Sequence, residues 1–405
     1  MPRLLTPEID RSLDRRVVAE EARIRDIRRQ LHQRPEPSGA EFQTTDLIAG
    51  LLAESGIEHR VLPSGRGIIA EGGARAGPAG IVGLRADIDA LRLQDEKTVV
   101  YQSREANLMH ACGHDAHTAM LLGAVLALGG EPDLPFRWRA LFQPAEETCK
   151  GAWEMIEGDA LDNLSALVAL HVDPLLPVGE VGLSPGTLTA ICEEVEVTIT
   201  GRGGHAARPH QTVDPVLGAV QFVQQVYQSV HRVIDARDPA VLTFGVIQGG
   251  INPNVIPEQV QLRGTLRTLS PDVSAAVQQR IRDVAEGVAL AGGCRFGIHF
   301  PFLVHGVVND PTVTARVGEA AEAVVGAESI RPVGDPSMGG EDFANYLEAV
   351  PGCLLRLGTG TPGQPEKTLH SPHFDIDEGA LVIGARILAQ AACRLAAGQA
   401  QTDRV

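Results

Sequence analysis

Positive charge is in short supply along this chain. Lys and Arg number 35 against 51 Asp and Glu, for a formal net charge of −16. A phosphate-binding surface needs the opposite balance, so nucleic acid and anionic membranes are not expected partners. The acidity itself reads as a solubility feature. No uninterrupted run of about 18 apolar residues is present to cross a bilayer. The six cysteines (112, 149, 192, 294, 353 and 393) show no pairing rhythm. Free thiols fit that scatter better than a disulfide framework. The amino terminus shows no export signal: Thr6-Pro7-Glu8 opens a charged helix, with Thr6 as its cap. A cytoplasmic location is the expectation. Long repeats and low-complexity tracts are absent as well.

What is present is an ordinary globular composition, 44% hydrophobic and 21% charged over 405 residues. That length exceeds one ordinary core, so two domains are expected. In the first 185 or so residues, glycine-bounded apolar runs (67–72, 80–87, 137–142, 166–171) alternate with helical patterns such as 117–128. Unbroken apolar strands between helices predict an α/β domain whose mostly parallel sheet is covered on both faces. The middle differs. Glu194–Thr200 alternates strictly, a helix spans 214–234, strands fall at 241–247 and 259–268, a second helix starts at Ser270-Pro271, and a strand closes at 294–300. The order β-α-β-β-α-β is ferredoxin-like. The predicted architecture is therefore a catalytic α/β domain (1–187 and 300–405) carrying an inserted α+β domain (188–299).

The chemistry concentrates in His110-Ala111-Cys112-Gly113-His114-Asp115-Ala116-His117. Gly113 interrupts a simple helical stripe, and Asp115 would cap the apolar helix that follows. Cys112 and His114 then sit on the preceding loop, able to converge on one centre. Thiolate, imidazole and carboxylate together suit a borderline-soft ion such as zinc. Gln143-Pro144-Ala145-Glu146-Glu147 follows a strand and a proline, where open α/β sheets place ligands. Metal-assisted hydrolysis needs one carboxylate as ligand and another to take a proton from water. His171 ends another apolar run, and Arg85-Ala86-Asp87-Ile88-Asp89 ends a third. The carboxylates of this last segment could orient a ligand histidine, or form an ordinary buried pair with Arg85. Two other patterns are turns. Gly182-Leu183-Ser184-Pro185-Gly186 fits a serine-hydrolase elbow but precedes a strand. Gly358–Gly363 fits a dinucleotide fingerprint, yet Pro362 and Pro365 block the required helix.

With these motifs the chain resembles the aminoacylase/carboxypeptidase metallohydrolases, in the amidohydrolase branch of hippurate, auxin-conjugate and bacterial N-acyl-amino-acid hydrolases. The likeness runs from about Leu31 to Ala391. It takes in Leu31-His32, Pro35-Glu36, Arg85–Leu91, Met109–Asp115, Phe142–Glu147, Gly203–Ala207, Asn254–Pro257, Met338–Phe343 and Leu369–Pro372. The resemblance implies a zinc-peptidase-like catalytic domain with two divalent ions, most simply Zn2+, with Mn2+, Co2+ or Ni2+ as alternatives. Their ligands would be Cys112, His114, Glu147, His171 and His370, with His373 the rival of His370. Glu146 would be the general base, and Asp87 is counted with the catalytic residues. The inserted domain would act as a lid, its His205 polarising the scissile carbonyl. Asn254 and Gly340 would contact the substrate, and the lid would pair two copies in a homodimer. Arg92 and Ala116 depart from the family's usual proline and glycine; neither is a ligand.

The implied reaction is amide hydrolysis of an N-acyl amino acid, with dipeptides or carbamoyl amides as alternative substrates. A metal-independent cysteine hydrolase using Cys112 is a reading of another class, but it leaves the glutamates unexplained. A non-catalytic binding protein would have lost a ligand or the base, and none is missing.

Overall fold

The protein is described by a computed structural model covering residues 7–74, 80–131, 134–361, 363 and 367–402. The Thr6 cap and prolines 362 and 365 lie outside the described residues. The chain forms two compact units. The first comprises Met1–Leu188, Val308–Asp335 and Glu341–Val405; the second comprises Thr189–Val307 and Pro336–Gly340.

The first unit opens with helices α1 (Pro7–Ala19), α2 (Glu21–Gln33) and α3 (Phe42–Glu54). Strands β1 (Glu58–Val61), β2 (Ile68–Gly73) and β3 (Ile81–Asp87), helix α4 (His114–Gly129) and strand β4 (Arg137–Gln143) follow. Then come α5 (Gly151–Glu157), β5 (Leu164–Pro177) and two short strands, β6 (Val181–Gly182) and β7 (Gly186–Thr187). The second unit contains β8 (Ile191–Thr200), β9 (Gly204–His205), α6 (Pro215–Ser229), β10 (Ala240–Gly249) and β11 (Val255–Ile256). It continues with β12 (Gln259–Thr268), α7 (Pro271–Gly292), β13 (Arg295–His299) and β14 (Leu303–Val304). The chain returns to the first unit with β15 (Val308–Asn309), α8 (Pro311–Val325), β16 (Ile330–Arg331), α9 (Phe343–Leu347), β17 (Gly352–Gly360) and α10 (Gly379–Thr402).

The first unit's eight-stranded sheet runs β1-β2-β4-β3-β5-β17-β6-β16. Its centre, β4-β3-β5-β17, is parallel throughout. Antiparallel pairs flank that centre, so the sheet is mixed. Side chains alternate across a strand. Val82, Leu84 and Ala86, then Val168, Leu170 and Val172, then Leu355 and Leu357, enter one large core with α4 and α10. The intervening residues, including Arg85, Asp87, His171 and Arg356, face the other way. Helix α4 is apolar on all sides because it is enclosed on all sides.

In the second unit the sheet order is β10-β12-β8-β13, every neighbour antiparallel. With α6 and α7 between the strands, this is the ferredoxin-like arrangement. Asp214 caps α6 by accepting from the Val216 and Leu217 amides, with Pro215 at the first position. Asp310-Pro311 repeats the device at α8.

Several sequence expectations need correction. The second unit extends to Val307 rather than 299, because β14 pairs with β8, and it also claims Pro336–Gly340. His171 does not end its strand; β5 runs on to Pro177. Gly113, with φ +90°, occupies the cap position of α4, and His114 is its first residue, so Asp115 is not the cap. Gly379–Gly398 in α10 is long and apolar enough to cross a bilayer by length and composition, although Arg386, Gln390 and Arg394 interrupt its apolar run. That segment is 72% buried, as a core helix is.

Leu122 on α4 is fully buried. Leu122→Ala should cost about 2–5 kcal/mol, through lost burial and the cavity left behind. The measurement is the urea midpoint of metal-free protein.

Candidate metal centre

The centre is assembled where the parallel strands end. Gly113 separates Cys112 from His114 in a left-handed turn, and a Cβ there would collide with the Val172 side chain. Glycine is therefore the residue that lets the thiol and the imidazole turn toward one point. After β4 the chain bends through Ala145, held at φ +52° by its amide donating 2.8 Å to Glu41 Oε1. This bend presents Glu146 and Glu147, and the Glu147 amide donates to Asp89 Oδ2 at 3.0 Å. His370 also has a positive φ, +61°, and its amide donates to the Ala111 carbonyl at 2.8 Å. Strain at three such junctions (the third is Cys149, φ +53°) concentrates around the site.

The donors lie at ligand spacing. Cys112 Sγ is 3.5 Å from His171 Nε2 and 3.3 Å from His370 Nε2. His370 Nε2 is 3.6 Å from Glu147 Oε1. His114 Nε2 is 3.9 Å from Glu147 Oε1 and 3.8 Å from Glu146 Oε2. Two ligands of one tetrahedral ion stand roughly 3.3–3.8 Å apart, given bonds of about 2.0–2.3 Å. His114 Nε2 and Glu147 Oε1 are buried without a hydrogen-bond partner. Buried polar atoms are rarely left unpaired, so these fit a cation as the missing partner. The residues present therefore suit the implied metal ions. His373 stands apart, 3.6 Å from Glu96 at the surface, and His370 is the histidine that joins the cluster.

Neighbouring groups fix which nitrogen faces inward. His114 Nδ1 lies 3.1 Å from Asp89 Oδ1 and 3.0 Å from the Asp89 carbonyl, leaving Nε2 for a metal. His171 Nδ1 donates to the Val172 carbonyl at 2.8 Å, with the same effect. His117 is different. Its Nδ1 meets Asp87 Oδ1 at 2.6 Å and its Nε2 accepts the Val172 amide at 2.9 Å, so neither nitrogen is free. Asp87 thus does not hold a ligand histidine by hydrogen bond; Asp89 does. Asp87 instead joins Arg85, whose buried guanidinium also binds Gln143 at 2.8 Å, Asp342 at 3.0 Å and Glu341 at 3.1 Å.

Glu146 lies beside Glu341 and Asp342, all three buried with carboxylate oxygens within 4.8 Å of one another. Burial, then the charge of Glu341, raises the Glu146 carboxyl well above its usual range. His114 moves up despite its burial, because Asp87 and Cys112 favour its charged form. Burial and nearby His117 drive His171 down, toward the neutral ligand form. Burial raises the Cys112 thiol.

A second buried network stands behind α4. Asp115 Oδ2 forms an ion pair with the Arg28 guanidinium at 2.8 Å and lies 2.7 Å from His32 Nδ1. Burial opposes the Asp115 charge, but Arg28 and His32 outweigh it and hold the carboxyl below its usual range. His32, Glu341 and Asp342 fall in motifs of the family resemblance, but the sequence assigned no role to them or to this network. The network and the carboxylates both depend on contacts between segments far apart in the chain. Asp115 is a helix residue clamped by α2, and its role as a cap was the nearest available signal.

His205, Asn254 and Gly340 all belong to the second unit. His205 and Asn254 lie together there: Val255 pairs with His205, and the Ala206 amide donates to the Asn254 carbonyl at 3.1 Å. Gly340 ends the segment Pro336–Gly340 and is exposed.

The chain belongs to the Peptidase family M20/M25/M40, whose pattern matches residues 83–394. It is 40% identical over 371 residues to N-acetyl-L-cysteine deacetylase of Bacillus subtilis strain 168, covering 91% of this chain and 87% of that protein. It is 38% identical over 367 residues to N-acetyldiaminopimelate deacetylase of Enterococcus faecalis, covering 88% and 94%. Among solved structures, a dinuclear metal-binding M20 peptidase, the YXEP protein of Bacillus subtilis, matches with a TM-score of 0.81. The two share 34% identity over 93% of this chain and 99% of that one.

His110 is fully buried, and burial lowers it from 6.5 to about 4. The unfolded chain then binds a proton near pH 6.5 that the folded chain refuses until about pH 4. The contribution of His110 to stability should therefore fall as pH drops through that window. The raised carboxyls of Asp342 and Glu146 take up protons in the folded chain and act against it, so the contribution is read from the difference between wild type and His110→Leu. Depressed Asp115 adds a loss below the window. Urea midpoints of chelator-treated protein between about pH 7 and pH 4 should show this. His110→Leu should flatten the upper part of the slope.

Proposed function

We propose that this protein is a dinuclear metal-dependent amidohydrolase that cleaves N-acyl amino acids to a carboxylic acid and a free amino acid. One observation carries the reading: five donors, Cys112, His114, Glu147, His171 and His370, converge beside a buried carboxylate, Glu146, that none of them requires. The deacetylase relatives supply the substrate class. Divalent ions held there would polarise the scissile carbonyl and acidify a water. The thiolate favours zinc, with manganese, cobalt and nickel as alternatives.

In this reading Glu146 takes a proton from water as the water oxygen bonds to the amide carbon. The elevated affinity of Glu146 for that proton suits the role. When the C–N bond breaks, Glu146 returns the proton to the departing nitrogen. His205 is assigned to the carbonyl oxygen, where negative charge develops, and Asn254 and Gly340 to substrate binding. Asp87 positions His117 and Arg85 without touching substrate. Among the described residues no cysteine forms a disulfide, which fits a cytoplasmic enzyme.

A homodimer through the second unit completes the proposal. Among the described residues strand β10 is an edge, paired only with β12, and carries exposed Val241 and Ile247. Val216, Leu217, Val220 and Tyr227 on α6 are exposed too. A long unpaired edge with apolar side chains invites a second copy.

Chelator-stripped protein should be inactive on N-acetyl and N-benzoyl amino acids and regain activity with zinc or manganese. Turnover that survives full stripping would favour Cys112 as a nucleophile; cleavage confined to dipeptides or carbamoyl amides would redirect the substrate assignment. Glu146→Gln should keep its metal content and lose kcat by about 100-fold or more. His205→Ala should lose kcat at unchanged metal content; an unaltered kcat would remove its assigned role. Sedimentation should give twice the chain mass, and Ile247→Lys with Val220→Glu should halve it.

A further inference from the structure

Across the centre of the first unit's sheet, four parallel strands carry a row of polar side chains, at the ends of β3 and β4 and within β5 and β17. Gln143 on β4 pairs in register with Asp87 on β3, and His171 on β5 with Arg356 on β17. One step earlier Arg85 pairs with Ala169, which keeps the two halves of the row aligned. All four face away from the large core, whose members alternate with them. Three of the four have visible tasks. Gln143 accepts from Arg85 and donates to Asp342, Asp87 holds Arg85 and His117, and His171 faces Cys112.

Arg356 has none. Among the described residues its guanidinium makes no ion pair and no hydrogen bond, although it is partly buried. Arg85 and Arg28, the buried arginines near the centre, each bind several carboxylates. Arg356 is also close enough to His171 for its charge to disfavour protonation of the imidazole. On its other side Arg356 pairs with Gly182, where an added Cβ would lie 3.1 Å from the Arg356 Cβ and close to Leu176 and Val333. An unspent guanidinium in register with His171, beside a cluster rich in carboxylates, is arranged for an anion brought by the ligand.

We infer that Arg356 is a specificity-determining residue that binds a carboxylate of the substrate beside the metal centre. This rests on the amidohydrolase reading for its substrate class, though not for the anion site itself. The carboxylate has two sources: the α-carboxylate of the amino-acid half, or a second one at the far end of a dicarboxylic acyl group. The guanidinium orients the ligand and takes no part in bond making. Its loss should therefore weaken binding and spare kcat.

The test compares wild type, Arg356→Met, Arg356→Gln and Arg356→Lys on N-acetyl-L-alanine and N-succinyl-L-alanine, each protein checked for metal content and melting temperature. Arg356→Met and Arg356→Gln should raise KM about 10- to 100-fold with kcat within about threefold, and Arg356→Lys should recover part of the loss. A rise for both substrates identifies the α-carboxylate; a rise for N-succinyl-L-alanine alone identifies the acyl end. Unchanged KM for both substrates overturns the inference. Calorimetric binding of the same compounds to metal-loaded Glu146→Gln protein, with and without Arg356→Met, gives a readout free of turnover. Equal affinities there also overturn it. Binding that depends on Arg356 in a wild-type protein that hydrolyses neither compound would sink the amidohydrolase reading and leave the carboxylate site standing.

Discussion

The buried guanidinium of Arg85 is the contact on which the centre is built. It comes from β3 and reaches Asp87 on its own strand, Gln143 on β4, and Glu341 and Asp342 at the start of α9. Burial opposes its charge, yet Glu341, Asp87 and Asp342 hold it protonated. Removing one member of such a group leaves uncompensated charge in a dry interior, which costs far more than the pair contributes when intact. The strand ends are thereby locked together before any ion arrives.

That lock leaves a surplus of negative charge. Glu146 and Glu147 stand beyond the reach of Arg85 hydrogen bonds, and Glu146 lies against Glu341 and Asp342. Asp342 is itself pushed up to about 7, by burial first and by the charge of Glu341, against the opposing pull of Arg85. A site so loaded with carboxylates favours cations, while an anionic substrate would be repelled unless a positive group receives it. Divalent ions answer the first need, and Arg356 is placed for the second. The same crowding of carboxylates in a buried place raises the proton affinity of Glu146.

Much of this was legible from the residues. Cys112, Gly113 and His114 announce a turn with two donors, and the structure shows why glycine stands between them: Val172 leaves no room for a Cβ. The β-α-β-β-α-β order of the second unit follows from local periodicity and capping residues, and its sheet order agrees. The choice between His370 and His373 was not open to local reading. Both sit in one turn, and only the hydrogen bond from the His370 amide to Ala111 turns that residue inward. Asp87 and Asp89 were likewise interchangeable on paper, two carboxylates at one strand end. The alternation of the strand sends Asp87 to His117, and the bend after it sends Asp89 to His114.

The sequence by itself determined the secondary elements, the division into an α/β part and an α+β part, and the inventory of donors. Those follow from periodicity, capping and residue chemistry, all of which act within a few positions along the chain. Tertiary structure alone decided which donors meet. His370 lies 258 positions from Cys112, Arg28 pairs with Asp115 from another helix, and Arg356 falls beside His171 through strand register. These pairings depend on how buried surfaces close around charge, a constraint spread over the whole core and visible in no short stretch of residues.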